Sequence, residues 1–316
     1  MSKYFDQANM FMEPEVKQHG SHMVMTNVVK PTKKKYLTLD TRFRDGYNFN
    51  TNANYNITLP ERVNNVRSMQ LRNIEIPVTY YNISCALGNN KFTIKILNNE
   101  KEFIVPDGQY TQTELKDHIN SLLTNAGSPF QGVITVSISN NKWNFNNSGT
   151  NQCTVTFDKP EYTFANGVKT EKPDIPSDGQ MSRLGWKLGY RKKKYIIEAN
   201  SGNKESESFI DINGPKYLYL IVDEFTNGNP HSFLSLSKTS QLSSQQILAR
   251  IAIDYNSFPF GSIIPAEQYN YALSDTRRYS NEVDLQRLNI RLVDEFGNII
   301  DLNGTDISMC IELEHL

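Results

Sequence analysis

The 316-residue sequence has few of the residues that metal-binding and catalytic sites use. Its three cysteines, Cys85, Cys153 and Cys310, lie far apart and form no C-x-x-C pair, so neither a disulfide framework nor a zinc site is indicated. We expect reduced, mostly buried thiols. The five histidines occur in no H-E-x-x-H or H-x-E pattern, and the sequence contains neither a glycine-rich phosphate loop nor a G-x-S-x-G elbow. We therefore predict that the protein is not an enzyme and has no catalytic residues, metal or cofactor.

Acidic residues are plentiful enough to leave two other interpretations open. A pair of carboxylates such as glycosidases use is not excluded by the sequence, although solvated strand faces and turns explain most acidic residues. Four acidic residues near the predicted last hairpins are compatible with a calcium site: Asp294, Glu295, Asp301 and Asp306. We favour ordinary turn chemistry, in which an Asp side chain accepts hydrogen bonds from nearby backbone N–H groups.

Positive and negative charges nearly cancel, with 33 Lys and Arg against 34 Asp and Glu. Such a balance creates no strong field toward nucleic acid or an anionic membrane, and we expect no specific nucleic-acid binding. Two basic clusters remain, Lys33–Lys35 and Arg191–Lys194. Apolar runs are no longer than a strand and the first 15 residues are polar, so we expect neither a transmembrane helix nor a signal peptide.

Residues 1–35 show no periodic pattern, which predicts a flexible N-terminal arm ending in Lys33, Lys34 and Lys35. We predict one domain over residues 36–316, interrupted by a loop or insertion region at roughly 85–180. Within it, residues 158–182 are rich in Pro, Gly, Asp and Lys and are predicted to form a long surface loop. The three lysines are candidates for an arm contact, either with anions inside a particle or with a neighbouring subunit.

One helix is predicted. Thr111 is a suitable N-cap, and Glu114 three residues later completes a capping box. The residues Leu115, Ile119, Leu122 and Leu123 follow at helical spacing, and Gly127 is placed to end the segment.

Elsewhere the pattern is that of strands. Apolar residues alternate with polar ones over residues 55–59, 66–76, 288–293 and 307–313, and turn residues such as Asn303-Gly304 separate the segments. The stretch Tyr217–Val222 is apolar throughout, which is typical of a strand covered on both faces, either in a sandwich core or at a subunit contact. Many short strands with regular turns and one helix predict an all-β protein, a β-sandwich or jelly roll.

Four stretches of the sequence resemble penton or minor capsid proteins of nucleocytoplasmic large DNA viruses, of the mimivirus and phycodnavirus kind. They are YLTLDTRFRD at 36–45, NYNITLPERVNNVRSMQLRNIEIP at 54–77, LGWKLGYR at 184–191 and the C-terminal segment 288–316. The segment VPDGQYT at 105–111, which precedes the predicted helix, is similar to the segment that enters a helix in the same proteins. None of these motifs is catalytic.

The resemblance implies a single jelly roll that stands upright in a capsid. It further implies a homopentamer at the five-fold vertices, in contact with the major capsid protein and other minor capsid proteins, in a virion assembled in the host cytoplasm. A minor capsid role elsewhere, and an attachment protein that binds a host receptor or glycan, are the alternatives. A carbohydrate-active enzyme on the same scaffold is the weakest of the hypotheses, because fold does not fix function.

A five-membered ring needs two different, complementary side surfaces on each subunit. Apolar and aromatic residues that are candidates for the subunit interface are Tyr217, Tyr219, Ile221, Phe258 and Phe260, with Tyr80 and Tyr81 also considered. For most of these residues an ordinary place in the core is the simpler interpretation.

Overall fold

The computed structural model describes residues 31–47, 51–158, 162–165, 168–171, 181–225 and 246–316. The predicted arm, apart from its last five residues, and much of the predicted loop at 158–182 lie outside these ranges. In chain order the strands before the first helix are β1 (Lys33–Asp40), β2 (Asn54–Pro77), β3 (Lys91–Ile96) and β4 (Asn99–Ile104). A 3-10 turn at Thr41–Phe43 follows β1.

Helix α1 (Gln112–Thr124) is followed by β5 (Ile134–Ser139), β6 (Lys142–Asn147), β7 (Cys153–Thr156), β8 (Tyr162–Ala165) and β9 (Val168–Glu171). Next come a four-residue helix α2 (Leu184–Lys187), β10 (Lys194–Ile197) and β11 (Gly202–Glu205). The chain ends with β12 (Tyr217–Asp223), β13 (Ile247–Ala252), β14 (Ile263–Gln268), β15 (Tyr271–Ser274), β16 (Arg277–Val293) and β17 (Ser308–His315).

Strand β2 is 24 residues long and contributes to both layers of the jelly roll, which is one eight-stranded hydrogen-bonded sheet. Its first half pairs with β16, and its second half pairs with β17 and β14. The register between β2 and β16 shifts near Val66, and Asn65 has a positive φ of 54°. An irregularity of this kind bends a strand, so the chain turns a corner without leaving the β conformation. The sequence predicted separate strands over residues 55–59 and 66–76, and the structure joins them.

The sheets have the strand order of a jelly roll. When the two halves of β2 are counted as successive strands, the jelly roll has eight strands, numbered here 1 to 8 in chain order: β1, the two halves of β2, β12, β13, β14, β16 and β17. One layer then has the order 1-8-3-6 and the other has the order 2-7-4-5, and β15 joins their edges. Two interleaved Greek keys give this order. The prediction of an all-β single jelly roll with an inserted region and a short helix is confirmed.

Antiparallel pairing places the start of β1 and the end of β17 at one end of the sandwich. Lys33 pairs with His315, and His315 pairs with Val66 at the corner of β2. The opposite end carries Asp40, which pairs with Ser308, and the pair formed by Pro77 and Ile263. The insertion leaves the sandwich after β2 and returns before β12, so it extends from the end opposite Lys33 and His315.

The insertion is a folded unit with its own core, larger than the sequence predicted. Its buried residues run from Ile83 to Ile212, whereas the prediction placed the region roughly at 85–180. It contains the four-stranded sheet β10-β7-β3-β4, the three-stranded sheet β11-β6-β5 and helix α1. The later boundary was missed because Leu184, Leu188 and Tyr190 were not recognised as core residues of this unit. The two-stranded sheet β8-β9 lies within the predicted loop.

Helix α1 has the predicted N-terminus. Thr111 accepts a hydrogen bond from the Glu114 backbone N–H, and the Glu114 carboxylate accepts one from the Thr111 backbone N–H at 2.8 Å. Residues Leu115, Ile119 and Leu123 are buried against the insertion sheets. Neither of the helices that the structure describes has the length and hydropathy to cross a membrane.

Candidate assembly surfaces

Strand β12 is buried on both faces by its own chain. Leu218, Leu220 and Val222 point into the core of the jelly roll. On the opposite face Tyr219 is 6% exposed and Ile221 is 0% exposed. These two side chains form a small cluster with Ile247 and Val293 of the neighbouring strands β13 and β16.

The interface prediction therefore needs correction at Tyr219 and Ile221. A continuously apolar strand indicated either a sandwich core or a subunit contact, and in this chain the residues are already covered within one subunit. Side chains with so little exposure add almost no surface to a contact with a second copy.

Tyr217 lies at the rim of the same face and is half-buried. Its ring packs edge-on against Tyr219, with centroids 5.3 Å apart, and the Arg250 guanidinium carbon lies 4.0 Å from the ring centroid. Burial, together with the neighbouring Tyr219, raises the pKa of Tyr217 to about 12. The exposed remainder of this side chain is fixed in position by its neighbours.

Some of the aromatic residues considered for the subunit interface lie at the insertion end, where some are buried and others are exposed. Tyr80 is 3% exposed, and its hydroxyl accepts a hydrogen bond from Tyr255 at 3.3 Å. Phe258 is half-buried and packs edge-on against Tyr271 at 5.2 Å. Phe260 is 45% exposed and stacks on the partly exposed Tyr81 at 6.0 Å. Of the five predicted interface residues, Phe260 is the most exposed.

Sequence reasoning missed three exposed apolar residues close to Phe260 along the chain. They are Ile263 (58% exposed), Tyr269 (89%) and Leu273 (53%). In β14 the outward Ile263 is adjacent to the buried Ile264, and both lie in a run of apolar residues that hides the alternation. Tyr269 has a φ of 66° in the tight turn after β14. The turn requires a residue in the left-handed region at this position, and no sequence pattern indicates that a tyrosine takes this conformation.

Lysines 33–35 belong to β1 rather than to an arm. The Lys34 Nζ lies 3.0 Å from Glu312 Oε1, and the Arg72 guanidinium lies 2.7 Å from Glu312 Oε2. Hydrogen bonds from Arg72 and then Lys34 lower the pKa of Glu312 to about 2. Lys35 forms an ion pair with Glu61.

The prediction that these lysines contact anions in a particle or a neighbouring subunit is therefore corrected. Lys34 and Lys35 contact acidic residues of their own chain, because pairing with β17 places Lys34 beside Glu314 and Tyr36 beside Glu312. The boundary of the arm moves to residue 32. Charged side chains on a strand at the edge of a sheet also discourage unwanted strand pairing.

Of the four acidic residues at the last hairpins, Asp294 and Asp301 behave as turn residues, as favoured from sequence, whereas Asp306 pairs with Arg44 at 3.2 Å and Glu295 lines a cleft. The Asp294 carboxylate accepts hydrogen bonds from the backbone N–H groups of Phe296 and Asn298, at 2.9 and 2.7 Å. Asp301 accepts one from the Asn303 N–H at 2.9 Å. Within the described residues, no three His, Cys, Asp or Glu side chains cluster as metal ligands.

The cysteines are free, as predicted, but the prediction that they are mostly buried is wrong: Cys153 is buried, Cys310 is partly exposed and Cys85 is exposed. Burial raises the pKa of the Cys153 thiol to about 11, which makes it unreactive near neutral pH.

The second basic cluster, Arg191–Lys194, is part of the folded insertion. Arg191 lies over the Trp186 ring at 4.1 Å and donates to the Trp186 carbonyl at 3.0 Å, and Lys193 is 8% exposed.

No protein-family model and no curated protein matches this sequence. Among solved structures the chain is similar to the penton protein of mavirus, with 10% identity and a TM-score of 0.36, covering 91% of this chain and 100% of the penton chain. It is also similar to a chain of the Sputnik virophage structure determined by cryo-EM, with 11% identity and a TM-score of 0.39, covering 90% and 98% of the two chains. At these identities the likeness concerns the fold alone.

Proposed function

We propose that this chain is a structural capsid protein of a large icosahedral DNA virus, and specifically the penton subunit that forms a homopentamer at the five-fold vertices. The observation that carries the proposal is the jelly-roll strand order together with the placement of Lys33 and the C-terminal end of β17 at one end and the insertion at the other. A subunit standing upright in a shell needs one end toward the interior, one end outward and two flanks for its neighbours.

The stretches that resemble penton and minor capsid proteins support the same proposal. Residues 36–45 form most of β1 and the 3-10 turn, residues 54–77 form β2, and residues 288–316 form the end of β16, its connection and β17. These three segments are neighbours in the jelly roll, although they lie far apart in sequence. Most of the resemblance thus concerns one continuous part of the jelly roll, while the stretch at 184–191 and the helix entry at 105–111 belong to the insertion.

The flanks differ in chemistry in a way that suits a heterologous contact. One carries Phe260 and Ile263, which are exposed and apolar, beside Tyr81. The opposite edge of the same layer, at β1 and β17, instead carries the ion pairs of Glu312. Aromatic and aliphatic side chains at the centre of a contact with charges at its rim are typical of protein interfaces. We assign the apolar flank to the subunit contact.

The experiment measures the mass of the full chain by analytical ultracentrifugation and images the virion by cryo-EM. We expect a pentamer in solution and density for this chain at the five-fold axes, adjacent to the major capsid protein, with about 60 copies for twelve vertices of five. Ile263→Ser weakens the pentamer, whereas the matched change Ile104→Ser, on an equally exposed isoleucine of the insertion, leaves it intact.

A chain that stays monomeric at all concentrations and lies away from the five-fold axes in the particle contradicts the penton assignment. Density at another position in the shell would instead support the minor capsid alternative. Labelling of infected cells that places assembling particles outside the cytoplasm would contradict the proposed site of assembly. The attachment alternative is taken up by a separate feature of the insertion.

A further inference from the structure

A cleft of about 320 Å³ opens between the insertion and the jelly roll. Trp186, Lys187 and Asp211 line it from the insertion, and Lys216 and Glu295 line it from the sandwich. Small-molecule sites commonly have volumes of about 300–1,000 Å³ and often lie where two folded units meet. This cleft is at the end of the jelly roll opposite Lys33 and His315.

The charges that line the cleft balance one another. Lys187, Arg191 and Lys216 are its cations, and Asp211, Asp294 and Glu295 are its anions. Lys216 lies 3.4 Å from Asp211, and the Lys187 ammonium donates to the Asn213 carbonyl at 2.5 Å. A lining with equal numbers of both signs attracts neither anions nor cations strongly, but it offers both donors and acceptors at short range.

Glu295 supplies an acceptor that the protein leaves unused. Its Oε2 is buried and has no hydrogen-bond partner among the described residues. Burial raises the pKa of this carboxyl group above its ordinary value. A buried polar atom without a partner is unfavourable, so a ligand hydroxyl that donates to it is favoured. The neighbouring Asp294 is already used by its own turn.

Trp186 supplies an aromatic wall. The Arg191 guanidinium carbon lies 4.1 Å from the indole centroid, and its Nη1 donates to the carbonyls of Trp186 and Tyr190 at 3.0 and 3.2 Å. These contacts hold the indole in one orientation without adding hydrogen-bonding groups to its ring. A fixed aromatic surface beside polar groups binds ligands that have an apolar face and a polar edge.

We propose that this cleft binds a neutral carbohydrate of one or two sugar rings. A hexose has an apolar C–H face for Trp186 and hydroxyl groups that both donate and accept, which matches the unpartnered Glu295 oxygen and the balanced charges around it. The inference does not depend on the penton assignment, since Phe260 and Ile263 of the proposed subunit contact do not line this cleft. It gives the insertion a ligand, which the capsid role alone does not.

The test titrates the full chain with the methyl glycosides of glucose, galactose, mannose and N-acetylglucosamine, using saturation-transfer NMR and tryptophan fluorescence. The protein has two tryptophans, and Trp143 is 0% exposed, so changes in acrylamide quenching report on Trp186. We expect at least one neutral glycoside to bind with a Kd of roughly millimolar size and to protect Trp186 from quenching. Methyl glucuronide and glucosamine serve as charged comparators and should bind more weakly.

Two variants locate the binding. Trp186→Leu should weaken it by about tenfold or more, and Glu295→Gln by several-fold, because the amide replaces one acceptor oxygen by a donor. Glu205→Gln, which alters an exposed carboxylate paired with Lys142 elsewhere in the insertion, is the matched control and should change nothing. The proposal is overturned if no neutral glycoside binds or protects Trp186, if a charged sugar binds best, or if both cleft variants bind as the wild type does.

Discussion

The jelly roll and the insertion are both built mainly from strands, yet their cores are made of different side chains. Among the residues that the structure describes, only two of the 32 buried hydrophobic residues in the jelly-roll core are aromatic, Tyr55 and Tyr80. Among those of the insertion, eight of 24 are aromatic. Long strands such as β2 and β16 can bury rows of Ile, Leu and Val, while the insertion relies on strands of four to six residues.

The aromatic residues of the insertion pack on one another. Phe157 lies 5.0 Å from Tyr190, 6.1 Å from Phe145 and 6.2 Å from Tyr195, measured between ring centroids. A small unit buries a smaller fraction of its surface than a large one, so each core position must contribute more area. Aromatic side chains bury about 150–250 Å² each and gain further from ring contacts. The comparison implies two cores whose stabilities can be changed separately.

The largest expected effect comes from Trp143→Ala, because Trp143 is fully buried in the insertion core. Removing a buried Trp side chain costs about 3–5 kcal/mol from lost burial and the cavity that remains. We expect hydrogen exchange measured by mass spectrometry to accelerate across the insertion while β2, β16 and β17 stay protected. Phe209→Ala, at a 63% exposed position of the same unit, is the control and should have little effect. Equal loss of protection in both regions would show that the two cores unfold as one.

In the jelly roll, a comparable destabilising substitution would break a buried ion pair. Arg277 donates to the Val222 carbonyl at 2.8 Å and to Glu224 at 2.5 Å, and the Tyr279 hydroxyl donates to the same Glu224 oxygen at 2.6 Å. The side chains of Arg277 and Glu224 are 4% and 0% exposed. Arg277 also donates to the Gln246 carbonyl, so the pair ties the end of β12 to the start of β13.

Glu224→Gln should therefore destabilise the jelly roll by about 3 kcal/mol, because it leaves the Arg277 charge buried without a counter-ion. Chemical denaturation with hydrogen exchange is the measurement, and the loss should appear in β12, β13 and β16 rather than in the insertion. Glu282→Gln removes a half-exposed partner of Arg67 and should cost less than about 1 kcal/mol. A similar cost for both changes would mean that burial adds nothing to the Glu224 contact.

The same contrast explains how far sequence reasoning reached. In the jelly roll, alternation over residues 55–59 and 307–313 identified both the strands and their inward faces, because one face of each is exposed. The capping box at Thr111 and Glu114 fixed the start of α1 from four residues. In the insertion, Leu184, Leu188 and Tyr190 are buried by contacts with residues distant in sequence, and no local period marks them.

The candidate surfaces were harder to predict than the fold. Tyr219 and Ile221 are apolar for the same reason as core residues are, and only the packing of β12 against its neighbours shows that their own chain covers them. Ile263 looks like its buried neighbour Ile264 in sequence. The cleft residues Trp186 and Glu295 are 109 positions apart and meet only because the insertion returns to the sandwich. A single sequence has no signal for contacts of this kind.

A smaller effect tests the close packing of the aromatic core. Gly189 has a φ of 94°, and a Cβ added there would lie 2.2 Å from the Ser208 backbone oxygen. Gly189→Ala should therefore destabilise the insertion by about 2 kcal/mol through backbone strain and a clash that no side-chain rotation relieves. Gly132→Ala is the matched control, since Gly132 also has a positive φ of 71° but has open space around its Cβ position. If thermal unfolding shows equal losses for the two variants, strain at positive φ accounts for the effect and the packing at Gly189 does not.

The smallest predicted effect concerns the surface of the jelly roll, where Glu312 joins Lys34 and Arg72. The pKa of Glu312 falls from 4.5 to about 2 because Arg72 and Lys34 donate to the carboxylate. The native state therefore holds this proton less tightly than the unfolded chain, so the contact stabilises the protein fully above about pH 4.5 and loses its effect as the pH falls toward 2. Because Lys34 and Arg72 are 58% and 38% exposed, solvent screening limits the contribution to about 1 kcal/mol.

Glu312→Gln should thus lower the free energy of unfolding by that amount near neutral pH, and the difference from wild type should shrink as the pH falls from about 4.5 toward 2. Glu102→Gln, which removes the exposed ion pair with Lys91 in the insertion, should show little difference at either pH. A pH-independent cost for Glu312→Gln would mean that its packing, rather than its charge, holds β1 to β17.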